Sequence, residues 1–191
     1  MSTNNQNRQN QNQSNPNTLT QLLPASAIAE IEIWLAKYPP DRRRSAVMAA
    51  LTIAQEHLNH LSTETMDAVA DYLGIPRMAV YEVATFYSMY QLQPVGKHVI
   101  NVCTNISCML RGSDQLAAHL QKKLGIGFKQ TTNDGKFTLR EVECLAACGG
   151  APCALIDKTY HENLTSEKVD RILSGLDAGA QDRNDAGASH D

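Results

Sequence analysis

The sequence of 191 residues predicts an α+β protein, with a helical bundle over residues 25–92 followed by a compact α/β domain over residues 93–176. Apolar residues recur at helical spacing through the first segment, and short strand-like runs alternate with helical runs in the second. The stretch QPVGKH at residues 93–98 separates the two patterns with a proline and a glycine. A chain of this length has room for two small domains, each with its own core.

Both ends of the chain, residues 1–24 and 177–191, are predicted to be disordered. Residues 1–17 are mostly Asn and Gln, and the stretch from Asp177 onward is small, polar and acidic. Such segments cannot bury enough apolar surface to offset the entropy lost on ordering.

Four amphipathic helices are predicted in the bundle. Ser62 is expected to cap the third helix, and Pro76 is expected near the first turn of the fourth. Short connections between amphipathic helices are typical of a bundle. The four apolar stripes are Ile28, Ile31 and Leu35; Val47, Leu51, Ala54 and Leu58; Met66, Val69, Ala70 and Leu73; and Val80, Val83, Ala84 and Tyr87.

The second domain is predicted to run strand, helix, strand, strand, helix, with one further short strand before the last helix. The strands are VINVC, KFTLREVE and CALID, and the helices are SDQLAAHLQKKLG and TSEKVDRILSGL. We expect Ser113 to cap the first of these helices and Gly125 to end it. The last helix has a capping pattern at Thr165 or Ser166.

Composition narrows the class of protein. A net charge of −3 gives no indication of a nucleic-acid or anionic-membrane partner. The longest apolar run is too short to span a bilayer, and the N-terminal residues have no apolar signal region. We therefore expect a cytoplasmic protein, in which five cysteines, an odd number, favour metal binding over disulfides.

Four cysteines are positioned to converge. Cys103 ends the strand VINVC and Cys144 follows the strand TLREVE, with Cys108 and Cys148 a few residues further on. Loops that leave adjacent strands at the same edge of a sheet can meet, and four thiolates at one point require a cation. Zinc and an iron–sulfur cluster are the candidates.

The spacing of the cysteines favours a [2Fe–2S] cluster. Structural zinc sites prefer two C-x2-C turns, whereas the pairs here are C-x4-C and C-x3-C, whose wider loops suit a two-iron cluster. Gly149 and Gly150 can turn backbone N–H groups toward an anionic cluster. Zinc and unligated thiols stay open as alternatives at this point. Cys153 starts an apolar run and is interpreted as a small buried hydrophobe, with cluster ligation only as a substitute.

A DNA-binding alternative comes from residues 62–87, which have the pattern of a helix-turn-helix. A recognition helix needs basic or amide side chains, but this second helix offers Arg77 against Glu82 and is otherwise mainly apolar. We therefore expect no nucleic-acid partner. His98 and His161 border strands and are interpreted as surface histidines, because four cysteines already complete the site.

Longer stretches give a family resemblance from about Ile31 to Leu173. The chain resembles the thioredoxin-like [2Fe–2S] subunit of the peripheral arm of respiratory complex I (NADH:quinone oxidoreductase), the chain of E type. The motifs that carry the resemblance are KYPPDRRRSAV, LGIPRMAVYEVATFYSMYQLQPVGKHVINVC, C-x4-C followed by RGSD, KFTLREVECLAACGGAP and YHENLTSEKVDRIL.

The resemblance implies a helical N-terminal region followed by a thioredoxin-like [2Fe–2S] ferredoxin domain. Its cluster ligands correspond to Cys103, Cys108, Cys144 and Cys148, while Cys153 falls where relatives usually carry an aliphatic residue. The implied function is electron transfer between one [2Fe–2S] cluster and the flavin of a partner subunit that binds FMN and NADH, with no catalytic residue on this chain.

The resemblance also implies a location and further partners. These are additional iron–sulfur subunits of the peripheral arm and a cytoplasmic position, peripheral to the inner membrane through the complex and without direct membrane insertion. The alternatives are the equivalent subunit of an NAD-linked hydrogenase or formate dehydrogenase, or a zinc-stabilised adaptor.

Overall fold

A computed structural model describes residues 18–178 and divides them after Pro94 into two units. The division lies two residues beyond the predicted end of the bundle at residue 92. Among the described residues, no helix is long and apolar enough to cross a membrane.

The regular secondary structure of the first unit is helical throughout its described residues, 18–94. Its largest fully buried side chains include Ile31, Leu51, Leu61, Val69 and Val80, which form one core. These residues come from or flank the four predicted amphipathic segments. The helices are α1 Thr18–Leu22, α2 Ala25–Leu35, α3 Val47–Leu58, α4 Thr63–Leu73 and α5 Arg77–Phe86, with a 3₁₀ helix at Pro40–Ala46.

Helix α1 corrects the prediction for the N-terminal tail. Residues 18–24 were predicted to be disordered, but α1 occupies most of this stretch, with Leu19 fully buried and Leu23 only 4% exposed. Leu19 and Leu23 supply the apolar surface that the Asn/Gln-rich stretch lacks. Because both side chains are buried in the bundle, their packing offsets the entropy lost when this segment becomes ordered. The predicted tails at residues 1–17 and 179–191 lie outside the described residues.

Most helix ends follow the predicted capping chemistry. The Ser62 hydroxyl accepts a hydrogen bond from the Thr65 N–H at 3.1 Å, and Pro76 directly precedes α5. Thr165 caps the last helix, accepting from the Lys168 N–H at 3.3 Å. The prediction that Ser113 is an N-cap is wrong.

The cap before Ser113 is Gly112, whose φ of 92° lies in the left-handed region that glycine adopts without steric cost. Ser113 is instead the first residue of its helix and is fully buried. At the other end, Gly125 is the C-cap with a φ of 68°, which confirms the predicted helix end.

Ser62→Ala is expected to lower the free energy of unfolding of the helical unit by about 1 kcal/mol, because one N-terminal N–H of α4 loses its acceptor. Chemical denaturation followed by far-UV circular dichroism measures the change. Thr63→Ala, which removes a neighbouring exposed hydroxyl, is the control and should shift the transition little. Equal shifts for the two variants would contradict the capping role.

The second unit is a five-stranded mixed sheet with helices packed on it. The strand order is β2-β3-β1-β4-β5, and β1 pairs in parallel with β3 while the other neighbours are antiparallel. The strands are β1 His98–Cys103, β2 Gln130–Thr131, β3 Phe137–Val142, β4 Ala154–Ile156 and β5 Thr159–His161. The helices are α6 Ile106–Leu110, α7 Ser113–Leu124 and α8 Ser166–Asp177.

The core of the second unit joins the sheet to two helices. Ile100 on the central strand β1 and Leu139 on its neighbour β3 pack with Leu120 of α7 and with two residues of α8, Val169 and Leu173. The predicted α+β class is therefore confirmed. Three details differ: the two-residue strand β2 and the short helix α6 were not predicted, and Asp177, assigned to the tail, is the last residue of α8.

Candidate functional site

The parallel strands β1 and β3 bring both cysteine loops to one edge of the sheet. Cys103 is the last residue of β1 and lies opposite Val142, the last residue of β3, in a parallel register. Cys144 follows two residues after the end of β3. Because carboxyl ends of neighbouring parallel strands lie at the same edge, both cysteine loops leave the sheet at one edge, as expected.

The short helix α6 places Cys108 close to Cys103. The Asn105 side chain caps α6 by accepting a hydrogen bond from the Ile106 N–H at 2.7 Å. Cys103 and Cys108 are 2% and 1% exposed, so both thiols lie beneath the surface. The C-x4-C spacing thus forms a turn that buries two sulfur atoms together.

Cys153 is the third buried thiol at this position. The sulfur atoms of Cys103, Cys108 and Cys153 all lie within 4.8 Å of one another, and the Sγ atoms of Cys108 and Cys153 are 3.7 Å apart. Cys153 directly precedes β4, and its carbonyl accepts a hydrogen bond from the Cys103 N–H at 3.2 Å. The sequence interpretation identified Cys153 as buried but did not place it beside two expected ligands.

The other two expected ligands are exposed and lie outside this group of three sulfur atoms. Cys144 and Cys148 flank a loop in which Leu145 and Ala147 pack against the buried cysteines. The N–H of Ala146 donates to the Cys144 sulfur at 3.3 Å. The 144–148 loop therefore borders the buried thiols while its own cysteines face outward.

The buried thiols differ in their electrostatic surroundings. Burial raises the pKa of Cys103, but hydrogen bonds from the Asn105 backbone, the Cys108 thiol and the Leu145 backbone outweigh it and leave the pKa below its ordinary value. Burial, followed by the hydrogen bond with Cys103, raises the pKa of Cys108. Burial also raises the pKa of Cys153 to about 12. Cys103 is thus the buried sulfur that most readily carries negative charge.

The donor set fits an iron–sulfur cluster. Such a cluster is held by cysteine thiolates and carries negative charge, so it requires N–H donors directed at sulfur. The backbone at Asn105 and Leu145 meets this requirement at Cys103, and the Ala146 N–H meets it at Cys144. Sulfur ligands on two loops, with N–H donors on each, match the chemistry of the group.

The structure separates His98 from the cysteine site. His98 begins β1 and Cys103 ends it, so about 16 Å of extended chain separates the two residues. The His98 ring instead pairs with the Asp157 carboxylate at 2.7 Å. His98 thus lies away from the cysteine site, but its side chain is only 14% exposed, so the interpretation of His98 as a surface histidine is wrong.

Arg77 is the only basic residue of α5, the second helix of the DNA-binding alternative. Its guanidinium lies 3.1 Å from the Asp67 carboxylate and 3.5 Å from that of Asp71, both on α4. Because both carboxylates pair with Arg77, this helix has no unpaired basic side chain to direct at DNA phosphate, which weakens the DNA-binding alternative.

Comparison with known proteins gives one family. The family model for thioredoxin-like [2Fe–2S] ferredoxins matches residues 31–177. The second E-type subunit of the NADH-quinone oxidoreductase of Rhizobium meliloti is 46% identical over 149 residues, covering 78% of this chain and 88% of the relative. The E-type subunit of the same enzyme in Rickettsia felis is 47% identical over 140 residues, covering 73% and 84%.

A solved structure shares the fold. The crystal structure of an NAD⁺-reducing [NiFe]-hydrogenase in its air-oxidised state matches with a TM-score of 0.62 and 21% sequence identity. The match covers 71% of this chain but 23% of the hydrogenase chain, so it supports the fold alone. With the family model and the relatives taken together, the chain belongs to the thioredoxin-like [2Fe–2S] ferredoxin family and is a homologue of the E-type subunit of NADH-quinone oxidoreductase.

Proposed function

We propose that this chain is an electron-transfer subunit of an NADH:quinone oxidoreductase and that Cys103, Cys108, Cys144 and Cys148 hold one [2Fe–2S] cluster. The observation that carries the proposal is the meeting of the two cysteine loops at one sheet edge in a homologue of the E-type subunit. When bound, the cluster supplies one-electron reduction and reoxidation. FMN and NADH belong to the partner subunit, and this chain contributes no catalytic residue.

The protein would hold the cluster asymmetrically. Cys103 and Cys108 lie in a buried pocket with backbone N–H donors, where the side chains exclude water. Cys144 and Cys148 lie on an exposed loop. This arrangement supports a cluster with one shielded face and one face near the surface, where a partner subunit could approach closely enough for electron exchange.

The surface of α6 supports a docking role for the flavin-binding partner. Ile106, Met109 and Leu110 are 66%, 45% and 76% exposed, although the ligand candidate between them, Cys108, is buried. Three exposed apolar side chains beside a cluster ligand form a surface that is suited to a protein interface. We propose that the flavin-binding subunit covers this surface, because its flavin must lie near the cluster.

Leu110→Glu is expected to weaken association with the flavin-binding subunit by about tenfold or more, because a buried leucine contributes about 1.5–3 kcal/mol. The affinity between the purified subunits measures the effect, and the visible spectrum of the cluster should not change. Asn133→Glu introduces the same charge at an exposed site before β3, at the opposite end from Cys144, and should have little effect. Equal loss of affinity in both variants would argue against docking on α6.

Low-temperature electron paramagnetic resonance of the anaerobically purified chain tests the proposed function. The oxidised sample should be silent, and dithionite should produce a spin-half [2Fe–2S] signal that integrates to about one spin per chain. Zinc that persists, without acid-labile sulfide, after anaerobic reconstitution with iron and sulfide would overturn electron transfer in favour of a structural adaptor.

A position in the complex follows from the similarity to the E-type relatives. We propose that further peripheral-arm iron–sulfur subunits are neighbours, and that the chain lies on the cytoplasmic side, peripheral to the inner membrane through the complex. Cell fractionation should recover it with membranes while the complex is intact and should release it together with those subunits when the arm is detached. Recovery apart from them would contradict the proposal.

A further inference from the structure

The group of three buried thiols contains Cys153, which the proposed cluster does not use. We propose that Cys103, Cys108 and Cys153 form a second metal site that binds a single thiophilic divalent cation, such as Zn²⁺, when no cluster is present. The cation and the cluster would exclude each other, because they share Cys103 and Cys108. That exclusion depends on the proposed cluster ligands, but the three-thiolate site itself does not depend on them.

The spacing of the sulfur atoms matches a single ion. A tetrahedral zinc site with Zn–S bonds of about 2.3 Å places its sulfur atoms about 3.8 Å apart. The Cys108 and Cys153 sulfur atoms are 3.7 Å apart, and all three sulfur atoms lie within 4.8 Å of one another. The four cysteine sulfur atoms of a two-iron cluster are divided between two metal ions and span a larger distance. The three sulfur atoms here are therefore spaced more like the ligands of a single ion.

The backbone holds the three cysteines from separate elements. Cys103 ends β1, Cys108 lies on α6, and Cys153 precedes β4, the antiparallel neighbour of β1. The hydrogen bond from the Cys103 N–H to the Cys153 carbonyl continues the pairing between the two strands. The sheet therefore preorganises two sulfur atoms, and the turn of α6 supplies the third.

The chemistry of the pocket suits a thiophilic ion. The three thiols are 1–2% exposed and pack with Ala151, and thiolates are ligands that select zinc over hard cations. Binding would release the protons of the three thiols, and three thiolates around Zn²⁺ leave one net negative charge. The N–H donors at Cys103 can offset part of that charge, and a water molecule would complete four-coordination.

The site would have a consequence for cluster assembly. A zinc-loaded chain would lack two free cluster ligands, so an incoming cluster would have to displace the ion. Cys153 would then bind metal only before the cluster is inserted. This role accounts for a cysteine that contacts two expected cluster ligands but is not itself one of them.

Cadmium and zinc titrations of the reduced, cluster-free full-length chain test the proposal. Thiolate-to-Cd²⁺ absorption should saturate at one equivalent with an intensity for three thiolates, and competition with a chromophoric chelator gives the zinc affinity. Cys153→Ala should lose about one third of the absorption. It should also weaken zinc binding at least about tenfold, because even loss of a group that only orients a ligand costs about 10–100-fold. Cys144→Ala should match the unmodified chain in both measurements.

Two further measurements separate the possible failures. Cys153→Val keeps an apolar side chain in the buried position and should reproduce the metal result of Cys153→Ala, which excludes misfolding as its cause. Full Cd²⁺ absorption in both Cys153 variants, or an equal loss in Cys144→Ala, would overturn the three-thiolate site. Loss of the reconstituted cluster in Cys153→Val would instead overturn the proposed assignment of the cluster ligands. The number of thiolates that the Cd²⁺ absorption reports would still test the three-thiolate site separately.

Discussion

Cys144→Ala is expected to abolish the [2Fe–2S] spectrum while leaving the fold intact. The variant removes one proposed thiolate, and the cluster has no replacement donor in the 144–148 loop apart from Cys148, which is itself a proposed ligand. Cys144 is exposed, so its truncation should change the free energy of unfolding by no more than about 0.5 kcal/mol. Visible circular dichroism and the content of iron and acid-labile sulfide measure the loss of the cluster.

Cys148→Ala should behave like Cys144→Ala, and Cys153→Val provides the contrast. Cys153 is 1% exposed and lies among apolar neighbours, so valine is expected to keep the pocket filled and the cluster bound. A normal cluster in Cys144→Ala together with a lost cluster in Cys153→Val would reverse the ligand assignment. Together, loss of the cluster in Cys144→Ala and its retention in Cys153→Val would distinguish a cysteine that binds the cluster from one that only contacts a ligand.

Gly150→Ala is expected to destabilise the second unit by about 1–3 kcal/mol and to lower iron incorporation. A methyl group at Gly150 would lie 2.5 Å from the Cβ atom of Glu162, which cannot rotate away because it is attached to the backbone. The two segments are held together, since the Asn163 N–H donates to the Gly150 carbonyl at 2.6 Å and the Leu164 N–H donates to that of Pro152 at 3.0 Å. The added methyl group must separate the segments and displace the loop that carries Cys148.

Gly149→Ala is the matched control for this prediction. A methyl group at Gly149 would meet no atom within 4 Å, and its backbone conformation is open to alanine. Chemical denaturation and iron content should therefore differ little between Gly149→Ala and the unmodified chain. Indistinguishable unfolding transitions for Gly150→Ala and Gly149→Ala would show that the 162–164 segment does not restrain the cysteine loop.

Local chemistry made much of this protein predictable from its sequence. A short apolar run located β1 and alternating apolar residues located β3, and the positions of Cys103 at the end of β1 and Cys144 after β3 placed both loops at one sheet edge. Capping by Ser62 and Thr165 was also predictable, because a cap depends on residues three positions apart. Helix α1 was not predicted because residues 1–24 are polar as a whole, although Leu19 and Leu23 have partners in the folded bundle.

The sequence by itself therefore determined the fold class, the family and the two loops of the proposed cluster site. Only the tertiary structure decided which distant groups meet within that site. Cys153 reaches Cys108 across 45 positions because β4 pairs with β1, and Gly150 lies against Glu162 because the chain returns after β5. Neither contact leaves a local periodicity or capping signal, since each depends on strand pairing and close packing between segments that are far apart in the chain.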